Sequence, residues 1–118
     1  MSSVKHVSKA SFTREVLQSP VPVLVDFYAD WCGPCRMLAP TLERLATEFS
    51  GRASIVKVNV DQEPDLSGEF NVESIPTLVF LSGGKLISRT SGLVGEAGLR
   101  QALNRLADQT APSRPHVG

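Results

Sequence analysis

The stretch Val23–Tyr28 limits the possible folds of this chain most strongly, because its residues are apolar on both faces of an extended strand. A strand of this kind, rich in β-branched and aromatic side chains, belongs at the centre of a sheet that is covered on both sides. Asp26 interrupts the pattern with a carboxyl group that would be costly to ionise once buried. The sequence therefore predicts an α/β domain with one anomalous acid in its central strand.

Apolar periodicity predicts the elements on either side of the central strand. Helices are predicted at Phe12–Gln18, Cys35–Phe49, Pro64–Phe70 and Glu96–Asp108. Further strands are predicted at Val4–Val7, Ser54–Asp61, Thr77–Leu81 and Leu86–Thr90, the last two joined as an antiparallel hairpin. Ser11 is the expected N-cap of the first helix, and Pro40 is expected to kink the second. This order of elements predicts a mixed sheet covered on both faces.

The length of the chain, 118 residues, predicts one domain whose core is large enough to need neither disulfides nor metal. That domain is expected to span residues 1–108. Residues 109–118 include Pro112 and Pro115 and lack apolar periodicity, which predicts a disordered tail.

The charge balance limits the partners of the chain. Twelve basic and twelve acidic residues cancel, so there is no strong positive field to attract nucleic acid. The first residues lack the apolar core of a secretory signal, and no stretch is long enough to cross a bilayer. We therefore expect a monomer with no nucleic acid or membrane partner, in a reducing, cytoplasmic compartment unless a targeting segment has been removed.

The only two cysteines lie together in the motif Trp31-Cys32-Gly33-Pro34-Cys35, directly after the central strand. A disulfide closing so short a loop would add at most about 2 kcal/mol of stability, so chemistry explains the pair better than structure does. If a helix begins here, its unpaired N–H groups favour a thiolate at Cys32, while Gly33 and Pro34 suit a tight first turn. Cys35, one turn further into the helix, is expected to be less exposed and less acidic. We therefore predict that Cys32 attacks a disulfide and that Cys35 resolves the mixed disulfide.

Two other interpretations of the cysteine pair stay open. A zinc site needs four ligands, and beyond the cysteines the chain offers only His6 and His116, near its two ends. The pair would otherwise be an idle surface dithiol. Attachment of a c-type haem is excluded because Arg36, not histidine, follows the second cysteine.

Three further features lie outside the motif, and two of them, Asp26 and Gly92, each allow two interpretations. Asp26, with Lys57 on a neighbouring predicted strand as candidate partner, is either a proton acceptor for Cys35 or a structural carboxylate. A bare Ile75-Pro76 bond is seldom cis, although a proline at a strand entrance removes one donor from the sheet. Gly92 is either an ordinary turn glycine or a point of close backbone approach.

The segment Asp26–Cys35, together with Pro40, Lys57, Ile75-Pro76-Thr77 and Gly92, resembles the thioredoxin family over about Val4–Asp108. The resemblance implies a thioredoxin fold, a five-stranded mixed β-sheet flanked by four α-helices, with a cis bond before Pro76. It implies that Asp26 and Lys57 handle the proton of a catalytic Cys32–Cys35 pair. It also implies a substrate-binding rim, made of Trp31, Gly33, Pro34, Ile75, Pro76 and Gly92. Tyr28 stands where the family often has tryptophan, a change expected to affect packing and fluorescence more than chemistry.

The activity implied by this resemblance is the reduction of protein disulfides by a reversible Cys32/Cys35 dithiol. The chain itself would bind no cofactor and no metal, and an NADPH-dependent thioredoxin reductase would regenerate the dithiol. Its other partners would be disulfide-containing substrate proteins. The Gly33-Pro34 pair resembles the reducing members of the superfamily. Two alternatives remain, namely a specialised oxidant or isomerase, and a partner-binding module whose role is independent of redox state.

Overall fold

Five strands form one mixed sheet in the computed structural model, which describes residues 3–110. The strands are β1 (Lys5–His6), β2 (Val23–Tyr28), β3 (Ser54–Asn59), β4 (Thr77–Ser82) and β5 (Lys85–Ser91), and their order across the sheet is β1-β3-β2-β4-β5. β3 runs parallel to β1 and β2, whereas β4 runs antiparallel to β2 and β5. The predicted central strand is therefore confirmed, since β2 occupies the middle of the sheet.

Four α-helices accompany the sheet, as expected. They are α1 (Lys9–Phe12), α2 (Gly33–Glu48), α3 (Pro64–Glu69) and α4 (Glu96–Thr110). The chain continues from α1 into a π-helical segment, Thr13–Leu17, that spacing alone could not distinguish from α-helix. Within residues 3–110, no helix combines the length and the apolar character needed to cross a membrane.

The start of α1 differs from the prediction, because Ser8 rather than Ser11 is the N-cap. The Oγ of Ser8 accepts a hydrogen bond from the Ser11 amide at 3.3 Å, and the Oγ of Ser11 accepts one from the Ser8 amide at 3.0 Å. This reciprocal pair is a capping box in which Ser11 takes the place usually held by glutamate or glutamine. The helix therefore begins one turn earlier than its apolar residues indicate.

Three further boundaries differ by two residues each, and one of them is the end of β3, at Asn59 rather than Asp61. α2 begins at Gly33 rather than Cys35, because Pro34 fits the first turn and Cys32 serves as the N-cap. Pro40 lies inside α2, which continues on both sides of it. α4 extends to Thr110, two residues beyond the predicted Asp108, and residues 111–118 of the predicted tail lie outside the described part of the chain.

Apolar side chains cover the sheet on both faces. One core cluster joins β2 to α2 and α4 and includes Leu24, Leu42, Leu45, Phe49, Leu99 and Leu103. The other lies on the opposite face and includes Phe12, Val16, Val25, Phe27, Val58 and Leu66. Because side chains alternate along a strand, Asp26 shares the face of Leu24 and is directed toward α2. The fold thereby brings the anomalous acid to the side of the sheet on which the cysteine helix packs.

Candidate redox site

Cys32 and Cys35 form a disulfide at the start of α2, with their Cα atoms 5.2 Å apart. Cys32 is the N-cap, and the backbone N–H of Cys35 donates a hydrogen bond to its Sγ at 3.2 Å. Gly33 and Pro34 make the first helical turn between the two sulfurs. The cysteine whose sulfur receives this N–H donor is therefore the one that the sequence predicted as the nucleophile.

The expected contrast in exposure between the two cysteines is wrong for the disulfide form. Cys32 is 4% exposed and Cys35 is 3% exposed. The reason is that residues from other elements cover both sulfurs: Ala29 joins them in a small core cluster, and the carbonyl oxygen of Ile75 lies 3.8 Å from the Sγ of Cys32. The asymmetry of the pair thus lies in hydrogen bonding and surroundings rather than in solvent access.

Asp26 lies beneath the dithiol as a buried acid. It is 3% exposed, and its Oδ1 has no hydrogen-bond partner among the described residues. Burial raises the pKa of this carboxyl from 3.8 to about 7, although the positive charge of Lys57 acts in the opposite direction. Asp26 and Cys35 line the same cavity of about 30 Å³. The site therefore holds an acid that changes its protonation state near neutral pH beside the second cysteine.

Lys57 is the register partner of Asp26 across the parallel β2–β3 pair, as the sequence suggested. Its side chain is half-buried and lines the same cavity. The Nζ atom lies over the ring of Tyr28, 5.2 Å from the ring centroid. The Tyr28 hydroxyl in turn is hydrogen-bonded to Nδ1 of His6 at 3.1 Å. Neither a chemical role for Tyr28 nor its contact with His6 was predictable, because alternation within one strand does not reveal partners on other strands.

The predicted rim combines exposed and buried residues. Trp31 is 67% exposed, and its indole Nε1–H donates a hydrogen bond to Oδ2 of Asp61 at 2.9 Å. Pro34 is exposed, whereas Gly33 and Ile75 are half-buried and Pro76 is buried. Asp61 was missed at the sequence level because it follows β3, thirty residues from the tryptophan that it binds.

Two residues of the rim, Pro76 and Gly92, are joined by a backbone hydrogen bond. The Ile75–Pro76 bond is cis, as the family resemblance implied. The backbone N–H of Gly92 donates a hydrogen bond to the carbonyl oxygen of Pro76 at 2.9 Å, and Gly92 has a positive φ of 83°. The positive φ accounts for glycine at this position, because an added Cβ would meet no atom within 4 Å. The hydrogen bond joins the Gly92 backbone to that of Pro76 without crowding that requires glycine.

Two exposed apolar side chains next to the rim were also missed. Met37, two residues after Cys35, is 69% exposed, and Leu93, the neighbour of Gly92, is 54% exposed. The available signal was that each is a large apolar residue within two positions of a predicted rim or redox residue. Together with Trp31, they are among the large apolar side chains that the described part of the chain leaves exposed.

The zinc alternative gains no support from the part of the chain that the structure describes. No group of three histidine, cysteine or acidic side chains within residues 3–110 could hold a metal ion. His6 contacts Tyr28, and His116 lies outside the described residues.

Comparison with known proteins gives matches over nearly the whole described chain. Residues 3–105 match the family model Thioredoxin. Thioredoxin 1 of Nostoc sp. is 43% identical over 105 residues, which cover 89% of this chain and 98% of the relative. Thioredoxin of Haemophilus influenzae is 42% identical over 105 residues, with the same 89% and 98% coverage. A bifunctional thioredoxin reductase/thioredoxin of Mycobacterium leprae is 46% identical over 98 residues, which cover 83% of this chain and 21% of that protein.

Members of this family exchange electrons with disulfides through a pair of cysteines separated by two residues. Here that pair is joined across the first turn of α2, at the end of the central strand. With the family matched over most of its length and the redox pair in place, the chain belongs to the thioredoxin family and is a thiol–disulfide oxidoreductase.

Proposed function

We propose that this protein reduces disulfides in other proteins and that its two cysteines have unequal parts. The thiolate of Cys32 attacks one sulfur of the substrate disulfide, forms a mixed disulfide and releases the other substrate sulfur as a thiolate. The thiolate of Cys35 then attacks the Cys32 sulfur, closes the Cys32–Cys35 disulfide and releases the second substrate sulfur. Two electrons have passed to the substrate, and the protein leaves oxidised. The observation that carries this assignment is the hydrogen bond from the Cys35 amide to the Cys32 sulfur.

Asp26 is the proposed proton acceptor for Cys35 in the second step. A general base works best when its pKa is close to the working pH, and burial brings the pKa of the Asp26 carboxyl to about 7. The cavity that the two residues share is large enough to admit a water molecule, which provides a path for the proton. Lys57, on the adjacent strand, is proposed to offset part of the cost of the ionised form.

The substrate is proposed to dock on the rim formed by Trp31, Gly33, Pro34, Ile75, Pro76 and Gly92. Support comes from the exposed indole beside Cys32 and from the carbonyl group of Ile75, which faces the same sulfur. Met37 and Leu93 would extend the apolar part of this surface. A partner docked on this rim would thus lie next to the Sγ of Cys32, which is itself nearly buried.

The electrons are proposed to come from an NADPH-dependent thioredoxin reductase, so that this chain needs no bound cofactor. Support comes from the relative in Mycobacterium leprae whose name joins thioredoxin reductase and thioredoxin in one protein. The proposed compartment is the reducing cytoplasm, where cysteines work more often in exchange chemistry than in permanent disulfides. A monomer is sufficient for this cycle, since both cysteines and the acid come from one chain.

Trapping of the mixed disulfide tests the division of labour. Cys35→Ser should accumulate a covalent complex with a disulfide-containing substrate, whereas the matched variant Cys32→Ser should not. Trapping by the Cys32 variant alone would reverse the assignment. The Asp26→Asn variant should slow release of substrate from the mixed disulfide more than its formation, and equal effects on both steps would remove Asp26 from the mechanism.

The direction of exchange separates the reductase from an oxidant or isomerase. Reference potentials are about −270 mV for thioredoxin and about −120 mV for a strongly oxidising relative of the superfamily. Equilibration with glutathione should place this chain near the reducing end, and a value near the oxidant would support the alternative. Replacement of both cysteines by serine tests the binding-module alternative, because a pure docking role would survive that change.

A further inference from the structure

Tyr28 connects two parts of the molecule through opposite ends of its side chain. Its ring lies beneath the ammonium group of Lys57, with Nζ 5.2 Å from the ring centroid. Its hydroxyl is hydrogen-bonded to Nδ1 of His6 at 3.1 Å, and the two rings meet edge to face with centroids 5.9 Å apart. The ring is therefore held by β1 on one side while it contacts a charge from β3 on the other.

The same ring forms part of the wall of the cavity beside the dithiol. Tyr28 and Asp26 reach this cavity from β2, Lys57 from β3, and Cys35 and Glu43 from α2. These are the groups with titratable side chains that face the cavity. Tyr28 also packs against the small cluster formed by Ala29 and the two cysteines. A change in the position of its ring would therefore alter the surroundings of both Asp26 and the two cysteines.

A lysine lowers the pKa of a neighbouring acid most when its ammonium group stays close to that acid. Its four-carbon chain is flexible, so some contact must select one position of the charge. The face of an aromatic ring attracts a cation, and burial strengthens the attraction. In this protein the Lys57 ammonium group lies over the face of Tyr28 at the cavity, and its charge opposes the effect of burial on the pKa of Asp26.

We propose that Tyr28 is a positioning residue for the redox chemistry. Its ring holds the Lys57 ammonium group at the cavity, and its hydroxyl, through His6, holds the ring. This inference rests on the proposed function in one respect, namely that Asp26 accepts the proton of Cys35. It also revises the expectation that tyrosine at this position affects packing and fluorescence more than chemistry.

A double-mutant cycle tests the ring, with the pKa of Asp26 as the readout. The pKa is followed through the carboxyl carbon resonance of Asp26 by NMR, in the oxidised protein. Tyr28→Leu removes the ring but also admits water, and these two changes shift the pKa in opposite directions. In a Lys57→Met background, Tyr28→Leu can change the pKa of Asp26 only by admitting water. The shift caused by Tyr28→Leu should therefore be more positive in the parent than in the Lys57→Met background by about half a pKa unit, the size expected for a contact of this kind.

Conservative variants separate the ring from the hydroxyl. Tyr28→Phe keeps the ring and should retain most of the coupling to Lys57. The Tyr28 hydroxyl interacts with Asn59 as well as with His6, so His6→Ala should produce part of the small loss caused by Tyr28→Phe. In the Tyr28→Phe background, His6→Ala should add nothing, because the hydrogen bond to His6 is already absent. Additive losses would overturn the anchoring part of the proposal. If Tyr28→Leu fails to fold, Tyr28→Met serves as the ring-free variant.

The outcomes for this inference and for the proposed function can be told apart. A coupling of zero or of opposite sign overturns the positioning role of Tyr28, whatever the part of Asp26 in catalysis. If the coupling is present and Asp26→Asn leaves the release step unchanged, the positioning stands and the catalytic assignment fails. If both stand, the pH midpoint of the release step should move with the pKa of Asp26 from one Tyr28 variant to the next, a result that a merely structural role would not give.

Discussion

The backbone N–H of Cys35 points at the sulfur of Cys32, 3.2 Å away, across the first turn of α2. In the reduced protein the same donor, together with the start of the helix, would stabilise negative charge on that sulfur. Cys35 instead lines the cavity that contains Asp26. Two cysteines of nearly equal burial thus have different electrostatic surroundings.

We expect this difference to appear as unequal alkylation. In the reduced protein, iodoacetamide should modify Cys32 first and Cys35 several-fold more slowly, because the thiolate is the reactive form. Peptide mass spectrometry after short exposure gives the order. The unfolded protein is the control, and there the two rates should converge. Preferential modification of Cys35 in the folded protein would contradict the assignment of Cys32 as the nucleophile.

Asp26 should make the stability of the protein depend on pH. Its pKa is about 7 in the folded state against an ordinary value of 3.8, so the folded state holds the proton more tightly than the unfolded state. The stabilisation is therefore complete below about pH 4 and is lost as the pH rises through about 7. The full difference corresponds to about 4 kcal/mol.

Denaturant unfolding of Asp26→Asn and of the parent measures this dependence. The free energy of unfolding of the variant relative to the parent should increase between about pH 4 and pH 8, because the variant lacks the buried ionisation. Asp30→Asn, which alters an exposed acid in the same segment, is the matched control. A difference between Asp26→Asn and the parent that stays constant with pH would contradict the burial effect.

Replacement of Gly92 by any residue with a side chain should lower the stability of the protein. Its φ of 83° lies in the left-handed region, and a Cβ there would meet no atom within 4 Å. Gly92→Ala should therefore cost about 1 kcal/mol through backbone strain alone. Gly98→Ala is the matched control, since Gly98 lies in α4 and its added Cβ would only touch Val94 at 3.9 Å. That variant should be more stable by about 0.5–1 kcal/mol, as measured by thermal or denaturant unfolding.

The hydrogen bond between Trp31 and Asp61 should restrict the indole ring. Trp31 is the only tryptophan, so fluorescence anisotropy reports on the rim directly. Asp61→Ala should lower the anisotropy, while Asp61→Asn, which keeps an oxygen acceptor, should restore most of it. Stability should change by less than about 1 kcal/mol, because the indole is largely exposed. Unchanged anisotropy in Asp61→Ala would show that other contacts hold the ring.

Local patterns in the sequence predicted the elements whose signals do not depend on distant partners. Val23–Tyr28 is apolar on both faces, and it forms the middle strand over the predicted range. Gly83 and Gly84 marked a turn, and both have positive φ between β4 and β5. The cap of α1 was misplaced because Ser8 and Ser11 are chemically identical candidates, and only the reciprocal hydrogen bonds decide between them.

The candidate site was predictable where residue type carries the chemistry. The cysteine pair, the acid in an apolar strand and Lys57 as the candidate partner of that acid were recognisable from the sequence, and the family resemblance supplied the rim. The contacts of Tyr28 and of Trp31 were not predictable, because they depend on which side chains from β1, β3 and the loop after β3 meet in space. The equal burial of the cysteines escaped prediction for the same reason, since Ile75 comes from another part of the chain.

The central place of β2 has a consequence for repeated turnover. β2 is paired along its length with β3 on one side and β4 on the other, and the cysteine turn begins where this strand ends. The bond between the two sulfurs therefore opens and closes beside an interior strand, whose backbone is paired with a neighbour on each side. We expect β2 to keep its place through repeated cycles, because displacing it would break backbone hydrogen bonds to both β3 and β4.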